Sequence, residues 1–187
     1  MIVSLGVCLG RFSCLLVPGR FQPPHLGHIG TIRYALGLAD EVIVVVGSAQ
    51  ESYTLSNPLT AGERIVLLRK VLRSVLGDDY GRVYIVPVPD IQMHKVWVQY
   101  LRMLLPPFDG VVSGNELVLM LFEDAGFIAI RPPMYKPSVC NGTVIRDLVI
   151  KGGPWWECVP EVIRGDLEGM GFVERLKRLA GVGVEGS

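Results

Sequence analysis

The sequence predicts a three-layer α/β protein, and three observations carry that expectation. Five short apolar runs recur along the chain, the second of them rich in β-branched residues. Amphipathic segments of helical period stand between them. The runs are apolar on both faces rather than alternating, as expected of strands covered by helices on either side. Strand–helix alternation of this kind folds into a parallel sheet with right-handed crossovers.

The elements follow in order. Residues 14–17 form the first strand, which ends at Pro18-Gly19. Residues 25–38 form a helix with Ile29, Ile32 and Leu36 on one face, and residues 41–47 (EVIVVVG) the second strand. Residues 60–76 form a helix announced by Thr60 three positions before Glu63, a capping-box pattern. Residues 82–88, 109–113 and 126–130 read as the third, fourth and fifth strands. Helices at 96–105 and 115–124 separate them. Residues 141–150 form a further helix behind an N-cap type residue, and two helical segments follow Pro154, at 161–167 and 171–180. Residues 13–180 are expected to be one domain, preceded by an extension at 1–12 and followed by a frayed tail at 181–187.

Composition narrows the function. The chain has 187 residues, with eighteen basic side chains balancing eighteen acidic ones. Zero net charge argues against a protein that coats nucleic acid or an anionic membrane. Half the residues are hydrophobic and 19% are charged, which excludes a disordered chain. No apolar run reaches the ~18 residues that span a bilayer. Arg11 interrupts the apolar N-terminus and no small-residue cleavage site follows, so a cytoplasmic location is expected. Cys8, Cys14, Cys140 and Cys158 form no CxxC pair and have no histidine at ligand spacing. They read as reduced apolar filler.

The chemistry concentrates where the first strand runs into Gly19-Arg20-Phe21-Gln22-Pro23-Pro24-His25-Leu26-Gly27-His28. Gly19 permits a tight exit and a close backbone approach to a ligand. Two prolines stiffen the loop. His25 and His28 stand three apart at a helix start, where unpaired N–H groups and the helix dipole favour phosphate. Arg20 offers a planar fork to phosphate oxygens. A second cluster, Asn141-Gly142-Thr143-Val144-Ile145-Arg146, brings a hydroxyl, a guanidinium and a helix N-terminus towards one anion. Trp97 offers an indole ring, and Asp90 an acceptor just past the third strand. Gly47, Ser48 and Gln50 end the second strand, where the glycine suggests backbone close to a ligand. No carboxylate cluster marks a protein-built metal cage.

Segment 19–28 resembles the HxGH signature of the nucleotidyltransferase superfamily. More narrowly, the chain is similar to archaeal-type nicotinamide-nucleotide adenylyltransferases. The likeness extends through Gly47-Ser48-Ala49-Gln50, residues 57–64, Pro89-Asp90-Ile91 with Trp97-Val98, Pro106-Pro107-Phe108-Asp109, Ser113-Gly114-Asn115 and residues 141–146. The resemblance implies a Rossmann-like doubly wound parallel sheet of about five strands, helices on both faces and a C-terminal helical segment. It implies transfer of AMP from ATP to nicotinamide mononucleotide (NMN), giving NAD and pyrophosphate, in a homo-oligomer. Magnesium or another divalent ion would arrive with ATP. It assigns His25, His28, Arg20 and Arg146 to catalysis. Gly19, Phe21, Asn141, Gly142, Thr143 and Arg131 are assigned to ATP, and Gly47, Ser48, Gln50, Asp90, Trp97 and Asn115 to the mononucleotide. The same chemistry on another acceptor, as in cytidylyltransferases and phosphopantetheine adenylyltransferases, is the near alternative. Three departures from the family pattern stand out: Asn141 replaces a serine, Asp147 stands where relatives often carry a base, and His94 where they often carry asparagine.

Overall fold

The computed structural model describes residues 11–133 and 140–182. Residues 1–10, including Cys8, and most of the predicted tail lie outside the described residues. Five strands form one parallel sheet: β1 (Phe12–Gly19), β2 (Ala39–Val46), β3 (Val83–Pro87), β4 (Gly110–Val112) and β5 (Ile128–Ile130). Their spatial order is β3-β2-β1-β4-β5. The chain builds outwards from β1 on one side, then returns to add β4 and β5 on the other. Beyond the carboxyl ends of β1 and β4 the direction of winding reverses, which is where open sheets of this kind bind ligands. β1 pairs with β2 from Phe12 to Gly19 but with β4 only at Leu15 and Leu16. The crevice therefore opens past Leu16.

Helices α1 (Leu26–Leu38), α2 (Ala61–Leu76), α3 (His94–Leu104), α4 (Glu116–Asp124), α5 (Gly142–Lys151), α6 (Arg164–Gly169) and α7 (Phe172–Leu179) cover the sheet. Two clusters of buried side chains record the two faces. Leu15, Val17, Val42, Val44 and Val46 join α1, α2, α5 and the C-terminal helices. Leu16, Ile43, Val45 and Val111 join α3 and α4. Consecutive residues of β1 and β2 thus feed opposite clusters, which explains their unbroken apolar runs. Each fully buried Val or Leu contributes about 1.5–3 kcal/mol relative to exposure.

Local chemistry sets the helix starts. The Thr60 hydroxyl accepts from Glu63 N–H at 3.2 Å, and the Glu63 carboxylate accepts from Thr60 N–H at 2.8 Å, the reciprocal cap that the sequence predicted. Asn115 and Asn141 cap α4 and α5 through their side-chain oxygens.

Several boundaries differ from expectation. β1 begins at Phe12, inside the predicted extension, because Asp109 accepts from the main-chain N–H groups of Ser13 and Cys14 and holds that end in place. β5 is confined to three residues, since Gly126 takes a left-handed conformation, φ 79°, and belongs to the turn closing α4. The segment at 161–167 divides into a 3-10 turn, Glu161–Ile163, and α6.

The cysteine expectation is corrected more substantially. Cys140 and Cys158 form a disulfide, with Cα atoms 5.2 Å apart. They are eighteen residues apart and meet because α5 ends and the chain turns back. That event leaves no mark on cysteine spacing. Cys14 is a free buried thiol, and burial pushes it up to about 11.

Candidate active site

A cavity of about 940 Å³ occupies the crevice at the carboxyl ends of the strands. Its wall takes in the β1–α1 loop, the end of β2, the segment after β3, the β4–α4 loop and the start of α5. Of the sequence-predicted residues, Gly19, Arg20, Phe21, His25, His28, Gly47, Ser48, Gln50, Asp90, Trp97, Asn115, Asn141, Gly142, Thr143 and Arg146 all line it. Arg131 does not. It is exposed and ion-paired with Glu116 at the start of α4.

His25 is the N-cap of α1, and the two histidines cap each other. His28 N–H donates to His25 Nδ1 at 3.4 Å, and His25 N–H donates to His28 Nδ1 at 3.3 Å. The rings stack with centroids 3.6 Å apart. Because each Nδ1 accepts, each neutral ring carries its proton on Nε2. Burial lowers the His25 imidazole to about 4. Burial, together with His25 itself, lowers His28 well below the usual histidine value. At neutral pH the free protein therefore presents two uncharged Nε2–H donors to the cavity. A bound polyanion acts in the opposite direction and favours the imidazolium.

The surroundings fix this pair. Phe21 is fully buried at φ 54°, a left-handed conformation that an aromatic residue adopts only under constraint, and its ring centroid lies 4.5 Å from that of His28. Its side chain thus supports the histidine from beneath. A methyl group at Gly27 would stand 3.1 Å from the His25 ring, so the glycine leaves room for the imidazole itself.

Arg146 comes to the same cavity from the far end of the chain. Its Nη1 donates to the Gln22 carbonyl at 2.9 Å and its Nη2 to Thr143 Oγ1 at 3.3 Å. A methyl at Gly142 would stand 3.1 Å from Arg146 Nη1 and 3.3 Å from the Gln22 carbonyl oxygen, and would crowd that bond. Arg20 is exposed along the cavity wall. Arginines and helix N-termini thus face the two histidines across one space suited to phosphate.

The other end of the cavity is lined by Trp97, Ser48, Gln50, Asp90 and Asn115. Trp97 lies there, packed edge-on against Phe122 with centroids 5.9 Å apart. Asp90 already accepts from Ser48 N–H at 3.1 Å and from the Ser48 hydroxyl at 2.5 Å, while Gln50 accepts from Asp90 N–H at 2.9 Å. These three residues form one bonded unit that orders the end of β2, where Ser48 adopts φ 48°. Among the described residues no group of three or more His, Cys, Asp or Glu side chains could hold a metal ion.

A family model described as Cytidylyltransferase-like matches residues 16–148. The nicotinamide-nucleotide adenylyltransferase of Aeropyrum pernix is 64% identical over 166 residues, covering 88% of this chain and 96% of that protein. This chain belongs to the nicotinamide-nucleotide adenylyltransferase family. The enzymes of the same name from Ignicoccus hospitalis and Pyrobaculum aerophilum are 45% and 44% identical over 88% and 90% of the chain, and 96% and 94% of those proteins. Among solved structures, the bifunctional NMN adenylyltransferase/ADP ribose pyrophosphatase of Francisella tularensis, complexed with AMP and a manganese ion, superposes with a TM-score of 0.75 at 22% identity over 91% of this chain. A second crystal structure of that Francisella tularensis protein gives a TM-score of 0.77 at 21% identity. The likeness is one of fold, and this chain spans about half the length of those structures.

Two residues of this family member escaped the sequence reading. Gln22 is 2% exposed. Its side chain exchanges two hydrogen bonds with the Leu59 main chain, at 2.8 and 2.9 Å, while its carbonyl receives Arg146. Arg64 is wholly buried and donates to the carbonyls of Thr60, Arg20, Gly47 and Ser48, at 3.2, 2.8, 2.6 and 3.0 Å. One guanidinium thus ties the loops after β1 and β2 to the first turn of α2. A signal was available: Arg64, Leu68, Val71 and Leu72 share one helical face, so an arginine opens an otherwise apolar stripe.

Proposed function

We propose that this chain transfers AMP from ATP to nicotinamide mononucleotide, forming NAD and pyrophosphate. One observation carries the reading: His25, His28 and Arg146 line a single cavity, with the histidine loop bonded directly to the arginine. The family membership agrees with it.

The 5′-phosphate of the mononucleotide attacks the α-phosphorus of ATP in line. It is already anionic, so the step needs neither a general base nor a covalent nucleophile. Catalysis then rests on positioning and on stabilising charge at the pentacoordinate phosphorus and the departing pyrophosphate. The Nε2–H donors of His25 and His28 serve the α- and β-phosphate region. Arg146, Thr143, Gly142 and Asn141 hold the β- and γ-phosphates at the N-terminus of α5. Arg20 and the main chain at Gly19 close over the triphosphate, and Phe21 supports His28. Trp97 stacks on the nicotinamide ring, whose positive charge gains from the indole face. The unit of Gly47, Ser48, Gln50 and Asp90, with Asn115 opposite, surrounds the ring and its carboxamide.

ATP enters as its magnesium complex. Mg²⁺ commonly binds through substrate phosphates and water, and the phosphate end of the cavity offers cations and neutral donors rather than carboxylates. The same reading places the protein in the cytoplasm with its nucleotide substrates, as a homo-oligomer and without a nucleic-acid partner. No helix among the described residues is long and apolar enough to cross a membrane. Exposed apolar side chains on α3, α4 and β5, among them Met103, Met120 and Ile128, supply surface for subunit contacts.

The test is incubation with Mg²⁺, ATP and either nicotinamide mononucleotide or nicotinic acid mononucleotide, with CTP as the competing donor. Stoichiometric dinucleotide and pyrophosphate from ATP is the expected result. A chain that consumes neither ATP nor a mononucleotide would overturn the assignment.

A further inference from the structure

Cys140 directly precedes Asn141, the N-cap of α5, and itself lines the cavity. Its carbonyl oxygen lies 3.5 Å from the point that a methyl on Gly27 would occupy. It therefore packs against the first turn of α1, between His25 and His28. Cys158 ends the 3-10 turn Trp155–Cys158 that follows α5. Both cysteines are 5% exposed. The loop closed by their disulfide contains the whole of α5, and with it Thr143 and Arg146.

We propose that the Cys140–Cys158 disulfide is a positioning element for the phosphate-binding end of α5. The inference rests on the reading that the ATP triphosphate is held there. Arg146 reaches the histidine loop through its bond to the Gln22 main-chain carbonyl, and the Cys140 carbonyl packs on the first turn of α1. The disulfide fixes the residue just ahead of the N-cap to the chain beyond the helix C-terminus. The residue ahead of the α5 N-cap and the 3-10 turn beyond the helix are then joined by one covalent link, and the alternatives open to the intervening chain are reduced. Donors preorganised in this way need not rearrange as charge develops on the phosphates.

Reduction by a dithiol breaks the S–S bond. The dithiol supplies two electrons and two protons, leaving two cysteine thiols and the reductant's own cyclic disulfide. Ile145 and Val149 remain buried in the core, so α5 stays folded on the sheet while its N-terminal turn loosens.

The full chain is assayed as purified under air and after dithiothreitol treatment, below the melting temperature of both forms. Alkylation under denaturing conditions and peptide mass analysis report the state of Cys140 and Cys158. On reduction the KM for ATP should rise by between about tenfold and 10²-fold, the upper figure being the scale of a positioning group displaced by about an ångström. The KM for the mononucleotide should change less than twofold, and reoxidation should restore the wild type. Cys158→Ser should show the raised KM for ATP without reductant and should not respond to it. An unchanged KM for ATP with both thiols alkylated overturns the proposal. So does an equal rise in both KM values, which marks general loosening, or free thiols at 140 and 158 in the air-oxidised protein. If the oxidised chain forms no dinucleotide, the functional reading itself falls and this inference with it.

Discussion

The Arg146 guanidinium donates to the Gln22 main-chain carbonyl at 2.9 Å, across 124 residues of sequence. That contact joins the loop carrying the two histidines to the helix carrying Asn141 and Thr143. Arg146 is 8% exposed, and among the described residues no carboxylate forms an ion pair with it. Its charge is offset only in part by Gln22 and Thr143 and remains available to an anion in the cavity. Arg146→Ala is expected to lower kcat/KM for ATP by about 10²–10³, the usual effect of removing one donor to transition-state charge. Arg146→Lys keeps the charge but not the fork and should recover only part of the loss. Steady-state kinetics check both, and equal activity of wild type and Arg146→Ala contradicts the role.

His28→Ala should reduce kcat by about 10²–10³ while leaving the fold intact, because its cap bonds are long, at 3.3 and 3.4 Å. Circular dichroism alongside kinetics separates the two effects. Wild-type turnover would remove His28 from the mechanism.

The His25 Cε1 proton resonance should titrate with a midpoint near 4 in the free protein. The unfolded chain binds that proton near the ordinary value of about 6.5. Between those two values the unfolded state carries more protons, so stability rises with pH through that window and falls as the medium is acidified from about 6.5 towards 4. An NMR midpoint near 6.5 would show that the ring is solvated rather than enclosed.

Trp97→Ala should weaken binding of the mononucleotide several-fold more than binding of ATP. Calorimetry with each ligand measures the difference. Equal losses would return Trp97 to a packing role beside Phe122.

Arg175 on α7 holds Glu63 with two bonds of 2.8 Å and also donates to the Pro58 carbonyl at 2.9 Å. The Arg175 hydrogen bond is the main reason that the Glu63 carboxyl sits below its usual value. The stabilisation is present above the ordinary Glu range and is lost as pH falls through the lowered folded value. Arg175→Ala should cost about 1–2 kcal/mol at neutral pH, with the difference from wild type shrinking in acid. Urea melts at several pH values report it, and a pH-independent difference would contradict the linkage.

Much of the fold was legible because its signals are local. The apolar runs of β1 and β2, the Thr60/Glu63 pair, and Asn115 and Asn141 as caps act within a few residues of chain. The histidine pair was legible as a site, but its reciprocal cap was not, since imidazoles seldom take that part. Gln22, Arg64 and the Cys140–Cys158 bond stayed hidden for a shared reason: each acts on main chain or sulfur brought near by tertiary folding. Arg131 illustrates the converse. Its position after β5 left an adenine contact and a solvated side chain equally open, and Glu116 at the start of α4 offers it a carboxylate at the surface.

The central claim is that two imidazoles and one guanidinium grip a single triphosphate. A crystal structure with Mg²⁺ and a non-hydrolysable ATP analogue tests it most directly. The account predicts His25 Nε2, His28 Nε2 and Arg146 all within hydrogen-bond distance of the same phosphate chain. A triphosphate bound away from the histidines, or one that Arg146 does not touch, would contradict it.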